Sequence, residues 1–364
     1  MINDRGAPRR DLFKLAETCH ATSRRQLCEP RIGAARISRL TVPIIAALFF
    51  FNAAAQSNAA NPFATPVLSE SLSIGGSTIS VEIGSGDLNV SQTQVRDWVR
   101  RSACAVTEYY GGFPVRNVDV KIALIDEGSG VRFGRTLLVD QTLVIRVGLS
   151  GFATTSSLRD DWVMTHEMVH LALPSVPDEH HWIEEGIATY VEPIARAQVG
   201  DLPTEIVWRE LVDGLPKGLP ARGDCGLDNT HTWGRTYWGG ALFCLMADVE
   251  IHQRTNNRYG LQDALRGIVR AGGNLEHDWP LTRALEAGDD AVGVPVLIEL
   301  YNRMKDTPVT PDLYAMWHEL GIRPSGDSVT FDQGAPQASI VRSIMARRLS
   351  PGEPCGSLQS IRRR

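Results

Sequence analysis

The chain has 364 residues, of which 43% are hydrophobic and 22% charged, with a formal net charge of −5. That length supports one or two domains with an ample core, and the ordinary apolar fraction excludes a disordered or fibrous chain. Residues 1–55 carry 9 Lys/Arg and 4 Asp/Glu, which leaves the remainder at −10; an acidic body argues against nucleic acid as a partner.

Leu40–Phe51 is a short apolar run behind Arg31, Arg36 and Arg39, and Ala53-Ala54-Ala55 follows it. A basic start, an apolar middle and small residues at the end make a secretory signal. The run falls short of the roughly 20 apolar residues that span a bilayer. The sequence therefore predicts a leader over residues 1–55 and an exported protein, periplasmic or extracellular, with no stable membrane span after cleavage. An uncleaved signal anchor is the alternative. Cleavage would remove Cys19 and Cys28 and leave Cys104, Cys225, Cys244 and Cys355. Four cysteines in an oxidising compartment allow three pairings, and the sequence does not choose among them. No C-x-x-C spacing suggests a thiolate metal site.

Asn52–Thr65 reads as a flexible segment, and an N-terminal sheet-containing lobe is expected over residues 56–155. Thr78–Ile83 alternates like a half-buried strand between glycines. Ser91–Tyr110 sets Val95, Trp98, Val99, Val106 and Tyr110 at helical spacing, and Gly111-Gly112 stops it. Val118–Ile125 and Thr142–Gly148 read as strands. Gly151–Ser157 is a Ser/Thr loop in which Ser156 or Ser157 would cap the next helix.

That helix carries His166-Glu167-Met168-Val169-His170, an H-E-x-x-H motif. With nine histidines in the chain, composition predicts roughly 0.01 such matches by chance. Residues four apart share a helix face, so both imidazoles can grip one metal ion. Glu167 lies about 100° round the helix, placed to reach a water on that metal without ligating it. Zinc catalysis needs three protein ligands and an open position. Glu185, separated from His170 by 14 residues, begins a second helical stretch over 184–197 and is a carboxylate at a plausible distance for a third ligand. His180, His181, Glu184 and Glu192 are rivals. The bland alternative is a core helix with two satisfied histidines.

Trp182–Glu192, read W-I-E-E-G-I-A-T-Y-V-E, resembles the N-E-G-F-A-S-Y-V-E segment of gluzincin metallopeptidases of the M1 and M61 type. Tyr237-Trp238-Gly239-Gly240-Ala241-Leu242 is similar to that family's Y-x-x-G helix. The resemblance spans about Val115 to Val269. It implies an α+β, zincin-like fold, with an N-terminal mixed sheet plus helix lobe and a mainly α-helical C-terminal lobe. It further implies one Zn²⁺ held by His166, His170 and Glu185, a peptide or protein substrate, and Tyr237 as the residue that steadies the tetrahedral intermediate. Gluzincins also pair substrate with an edge strand, expected here at Leu143–Val147. No G-A-M-E-N segment precedes the helix, which leaves endopeptidase and aminopeptidase both open.

A catalytic helical lobe is expected over residues 156–345. Leu219–Thr232 is a loop that offers His231 as a second oxyanion donor. Gly234–Ile251 is apolar and helical, and Leu261–Val269, Val294–Met304 and Leu313–Leu320 are amphipathic helices. Ser328–Phe331 reads as a short strand before a closing helix, and 346–364 as a disordered tail. Asp160, Asp161 and Glu192 are candidates to orient the histidines. The expected function is an exported zinc peptidase with Glu167 as general base. The alternatives are an inactive zincin-fold binding protein and a zinc hydrolase of a non-peptide bond.

Overall fold

The structure, a computed structural model, describes residues 68–347 and Cys355. The expected leader, Cys19, Cys28, the Asn52–Thr65 segment and the Arg362–Arg364 end lie outside the described residues.

Five strands form the N-terminal sheet: β1 (Leu68–Ile74), β2 (Ser77–Ile83), β3 (Asn117–Ile125), β4 (Val131–Val139) and β5 (Thr142–Ser150). Their order is β1-β2-β3-β5-β4. The β1–β2 and β4–β5 pairs are antiparallel, whereas β2–β3 and β3–β5 are parallel. Gly75 and Gly76, at φ 60° and 84°, make the tight turn between β1 and β2. Helix α1 (Gln92–Tyr110) crosses from β2 to β3 and buries Val95, Trp98, Val99 and Val106. Its ends follow from the sequence: Ser91 and Gln94 form a capping box, and Gly111 closes the helix at φ 78°.

Two strands of this sheet are additions to the sequence reading. β1 is serine-rich and sits at a sheet edge. β4 mixes arginines with a central glycine, because one of its sides is open. That placement corrects an expectation: Leu143–Val147 lies inside the sheet between β3 and β4, and the edge strand is β4. A second correction concerns capping. Thr154, not Ser156 or Ser157, caps the short helix α2 (Thr155–Arg159), and Ser157 answers from its third position. The motif helix α3 (Val163–His170) starts on Asp161, whose carboxylate accepts from the Val163 and Met164 N–H groups at 3.1 Å each and from Trp98 Nε1 at 2.9 Å.

Beyond the sheet the described chain is mostly helical. Helix α4 (His181–Gln198) begins a turn before Glu185, and α5 (Thr204–Gly214) follows it. A π-helical turn over Gly234–Gly239 runs into α6 (Gly240–Arg254). Four helices come next: α7 (Leu261–Arg270), α8 (Leu281–Val292), α9 (Val296–Met304) and α10 (Leu313–Leu320). A hairpin of β6 (Ile322–Ser325) and β7 (Ser328–Phe331) then precedes α11 (Ala338–Met345). Cys104 in α1 pairs with Cys355, with Cα atoms 5.8 Å apart, and Cys244 is a buried free thiol. No helix among the described residues is long and apolar enough to cross a membrane.

Helix α4 meets α6 backbone to backbone. A β-carbon on Gly186 would come 2.4 Å from the Gly240 Cα, and one on Gly240 would come 2.1 Å from the Trp182 carbonyl oxygen. Only two glycines permit this approach, and it sets Glu185 beside the turn that carries Tyr237. Gly186→Ala should therefore lower stability by about 1–3 kcal/mol, as overpacking generally does. Urea denaturation reads this directly, and an unchanged midpoint would mean that the helices do not touch there.

Candidate metal centre

α3 presents His166, Glu167 and His170 to a cleft of about 1160 Å³, which Glu185 and Tyr237 also line. His166 and Glu167 are buried at 5% and 7% exposure. Glu185 Oε2 lies 3.1 Å from His166 Nε2 and 3.7 Å from His170 Nε2. The three ligand-type atoms fall within 4.8 Å of one another. A tetrahedral zinc with bonds of about 2.0–2.1 Å separates its ligands by roughly 3.3–3.4 Å. The donor set and its spacing thus fit a zinc ion.

The electrostatics fit as well. Burial lowers the His170 imidazole to about 4, which leaves it neutral with a lone pair to offer. Burial also acts on His166, but the hydrogen bond and charge of Glu185, with Glu167 and Glu192, raise it overall. Burial pushes Glu185 up, yet His170 and the His166 hydrogen bond outweigh it and hold the carboxylate at about 2. For Glu167, burial outweighs the His166 charge and the Thr136 hydrogen bonds that act against it, and carries it to about 7.

Tyr237 stands on the π-helical turn, a distortion often found at functional sites. Its ring stacks on His166 at 6.4 Å and on Trp233 at 6.0 Å. Its hydroxyl bonds to Glu185, and burial together with that carboxylate raises its pKa, so it stays a proton donor. Trp162 closes the other side of His166, edge to face at 5.4 Å.

The rivals sit elsewhere or do other work. His180 bonds to Asp228 at 3.0 Å, and Asp228 also accepts from Trp182 and Tyr301. His181 is half exposed; it contacts Glu184 at 2.9 Å and the second oxygen of Glu185 at 3.4 Å. Glu192 is paired with Arg196 at 2.9 Å, and Arg196 is held in turn by Asp201. His231 is exposed and does not line the cleft. Asp160 is exposed at the end of α2, and Asp161 orients no histidine because it caps α3. The structure adds a residue that the sequence did not suggest. Thr136 on β4 donates from Oγ1 toward the Glu167 carbonyl oxygen and Oε2, both at 2.8 Å. No sequence signal marks it, since β4 itself was not legible.

No protein-family model matches the sequence, and no curated protein matches it. Among solved structures the chain is similar to an aminopeptidase N family protein from Idiomarina loihiensis, with TM-score 0.50 and 12% identity over 70% of this chain and 49% of that one. It is also similar to an M1 zinc metallopeptidase from Deinococcus radiodurans, with TM-score 0.44 and 15% identity over 67% of this chain and 52% of that one. The chain spans about half the length of the structures it matches. The first likeness shows that the two share a fold over that region.

Glu167 supplies a pH signature in the metal-free protein. Its folded value of about 7 exceeds the ordinary 4.5, so the folded state holds the proton more tightly. Stability is then lost as pH rises from 4.5 through 7. Glu167→Gln should stabilise the metal-free protein by about 2–3 kcal/mol at pH 8 and by about 1 kcal/mol or less at pH 5. Urea unfolding in chelator at both pH values checks this, and an equal difference at both would contradict it.

Proposed function

We propose that this protein is an exported zinc-dependent peptidase that hydrolyses peptide bonds, with one Zn²⁺ held by His166, His170 and Glu185. The observation that carries the reading is the meeting of two imidazole nitrogens and one carboxylate oxygen in a cleft that Glu167 also lines. The gluzincin-like fold supports it. The Cys104–Cys355 disulfide supports export, since such bonds persist in oxidising compartments.

When bound, the ion acts as a Lewis acid toward a carbonyl and makes hydroxide available near neutral pH. The chain's own groups divide the remaining work. Glu167, which lines the same cleft, takes a proton from the attacking water and delivers it to the leaving amine. Tyr237, kept protonated, donates to the oxyanion that forms when the carbonyl is attacked. The neutral imidazole of His170 and the ionised carboxylate of Glu185 need no proton release before binding a cation.

Elemental analysis should find one zinc per chain, and a chelator should abolish peptide cleavage. Glu167→Gln is expected to keep the metal and lose hydrolysis, whereas His170→Ala loses both. Tyr237→Phe should lower kcat by roughly 10²–10³ with zinc retained, the usual cost of a lost oxyanion donor. Mass spectrometry of a digested peptide library reads the cleavage. Zinc bound in full with no peptide cut would sink the peptidase reading and favour a hydrolase of another bond or a binding protein.

A further inference from the structure

We propose that Thr136 is a positioning residue for Glu167, fastening the general base to the edge strand through its backbone and its carboxylate together. The proposal rests on the reading of Glu167 as the base.

Thr136 Oγ1 lies 2.8 Å from the Glu167 carbonyl oxygen and 2.8 Å from its Oε2. A hydroxyl carries a single proton, so the two acceptors share one donor. The carbonyl is open to this bond because the end of α3 tightens. The Leu171 N–H reaches Met168 O at 3.3 Å, one residue short of the i→i−4 partner at Glu167. The end of the motif helix is therefore shaped to receive a donor from β4.

Gly134 makes the approach possible. It lies two residues before Thr136, on the same strand face. A β-carbon there would come 2.6 Å from Glu167 Cγ, 2.6 Å from Val163 Cγ1 and 2.8 Å from Glu167 Oε1. Strand and helix are thus in contact at the base, with a glycine removing the obstacle and a threonine making the tie. A glutamate side chain loses substantial rotamer freedom when fixed. The Thr136 backbone N–H also reaches the carboxylate, but without the hydroxyl one of its two ties to β4 is lost and other staggered positions open to it. Because β4 also walls the cleft, the segment that meets a substrate is the one that sets the base.

The test compares Thr136→Val, which keeps the β-branched shape, with Thr136→Ser, which keeps the hydroxyl. In the full chain, Thr136→Val should lower kcat by about 10²-fold, the effect of misplacing a reacting group by about 1 Å. KM and zinc content should stay within about twofold of wild type, and Thr136→Ser should restore kcat to within about threefold. Crystal structures should show the Glu167 carboxylate moved in the valine variant and in place in the serine variant. Wild-type kcat with Glu167 unmoved in Thr136→Val would overturn the proposal. So would loss of activity in both variants, or zinc lost in step with activity. If the valine variant fails to fold, Thr136→Ala is read by the same criteria. Should the wild type cleave no peptide, the peptidase reading fails alone, and the position of Glu167 in the variants still decides whether Thr136 holds it.

Discussion

A carboxylate taken out of water must find partners or lose its charge. Glu185, at 9% exposure, finds two imidazoles, and this meeting constrains much of what surrounds it. His166 and His170 come from α3 and Glu185 from α4, so the two helices must cross at one depth and one angle. The Gly186–Gly240 contact lets α4 lie close to the turn bearing Tyr237. Behind the site, Arg196 joins Glu192 to Asp201, and Arg101 reaches Asp201 at 3.2 Å. That buried ion-pair network ties α4 to α1 and so to the sheet.

The same cleft holds two glutamates that its surroundings drive apart. Glu185 is held at about 2 by the histidines it faces, and Glu167 is carried to about 7 by burial. Such a split separates roles among chemically identical groups. In the metal-free protein one remains an anion, and the other titrates near neutrality. Two helices place them, α3 and α4, but their neighbours differentiate them.

The sheet contributes more than a platform. Its edge strand lines the cleft and touches the motif helix at Gly134 and Thr136. Aromatic contacts continue the wall from Trp162, edge to face with His166, to Tyr237, which stacks on His166 and is backed by Trp233. The imidazole of His166 is thereby fixed between rings as well as by its polar contact.

Much of this was legible in the sequence where the signal is local. The H-E-x-x-H spacing obeys the helix period, and α1 carries its own cap, apolar stripe and stop. Leu313–Leu320 and Ser328–Phe331 fall where periodicity puts them. Glu185 was legible as the third member through its resemblance to a family segment. Three helices, Thr155–Arg159, Thr204–Gly214 and Leu281–Val292, and the strands β1, β4 and β6 went unread. The edge strands are stabilised from one side by a partner distant in sequence, so their own residues carry a weak pattern.

The chain by itself determined which side chains could bind a metal and which could move a proton, because those abilities belong to residue types at fixed spacing along a helix. Tertiary structure alone decided that β4, not the strand after it, borders the cleft, that His180 pairs with Asp228, and that Arg196 is a partner of Glu192. It also decided that Cys104 meets Cys355 and that Thr136 meets Glu167. Each of these joins residues far apart in the chain, and such pairings are selected by packing and desolvation in three dimensions, which local sequence does not encode.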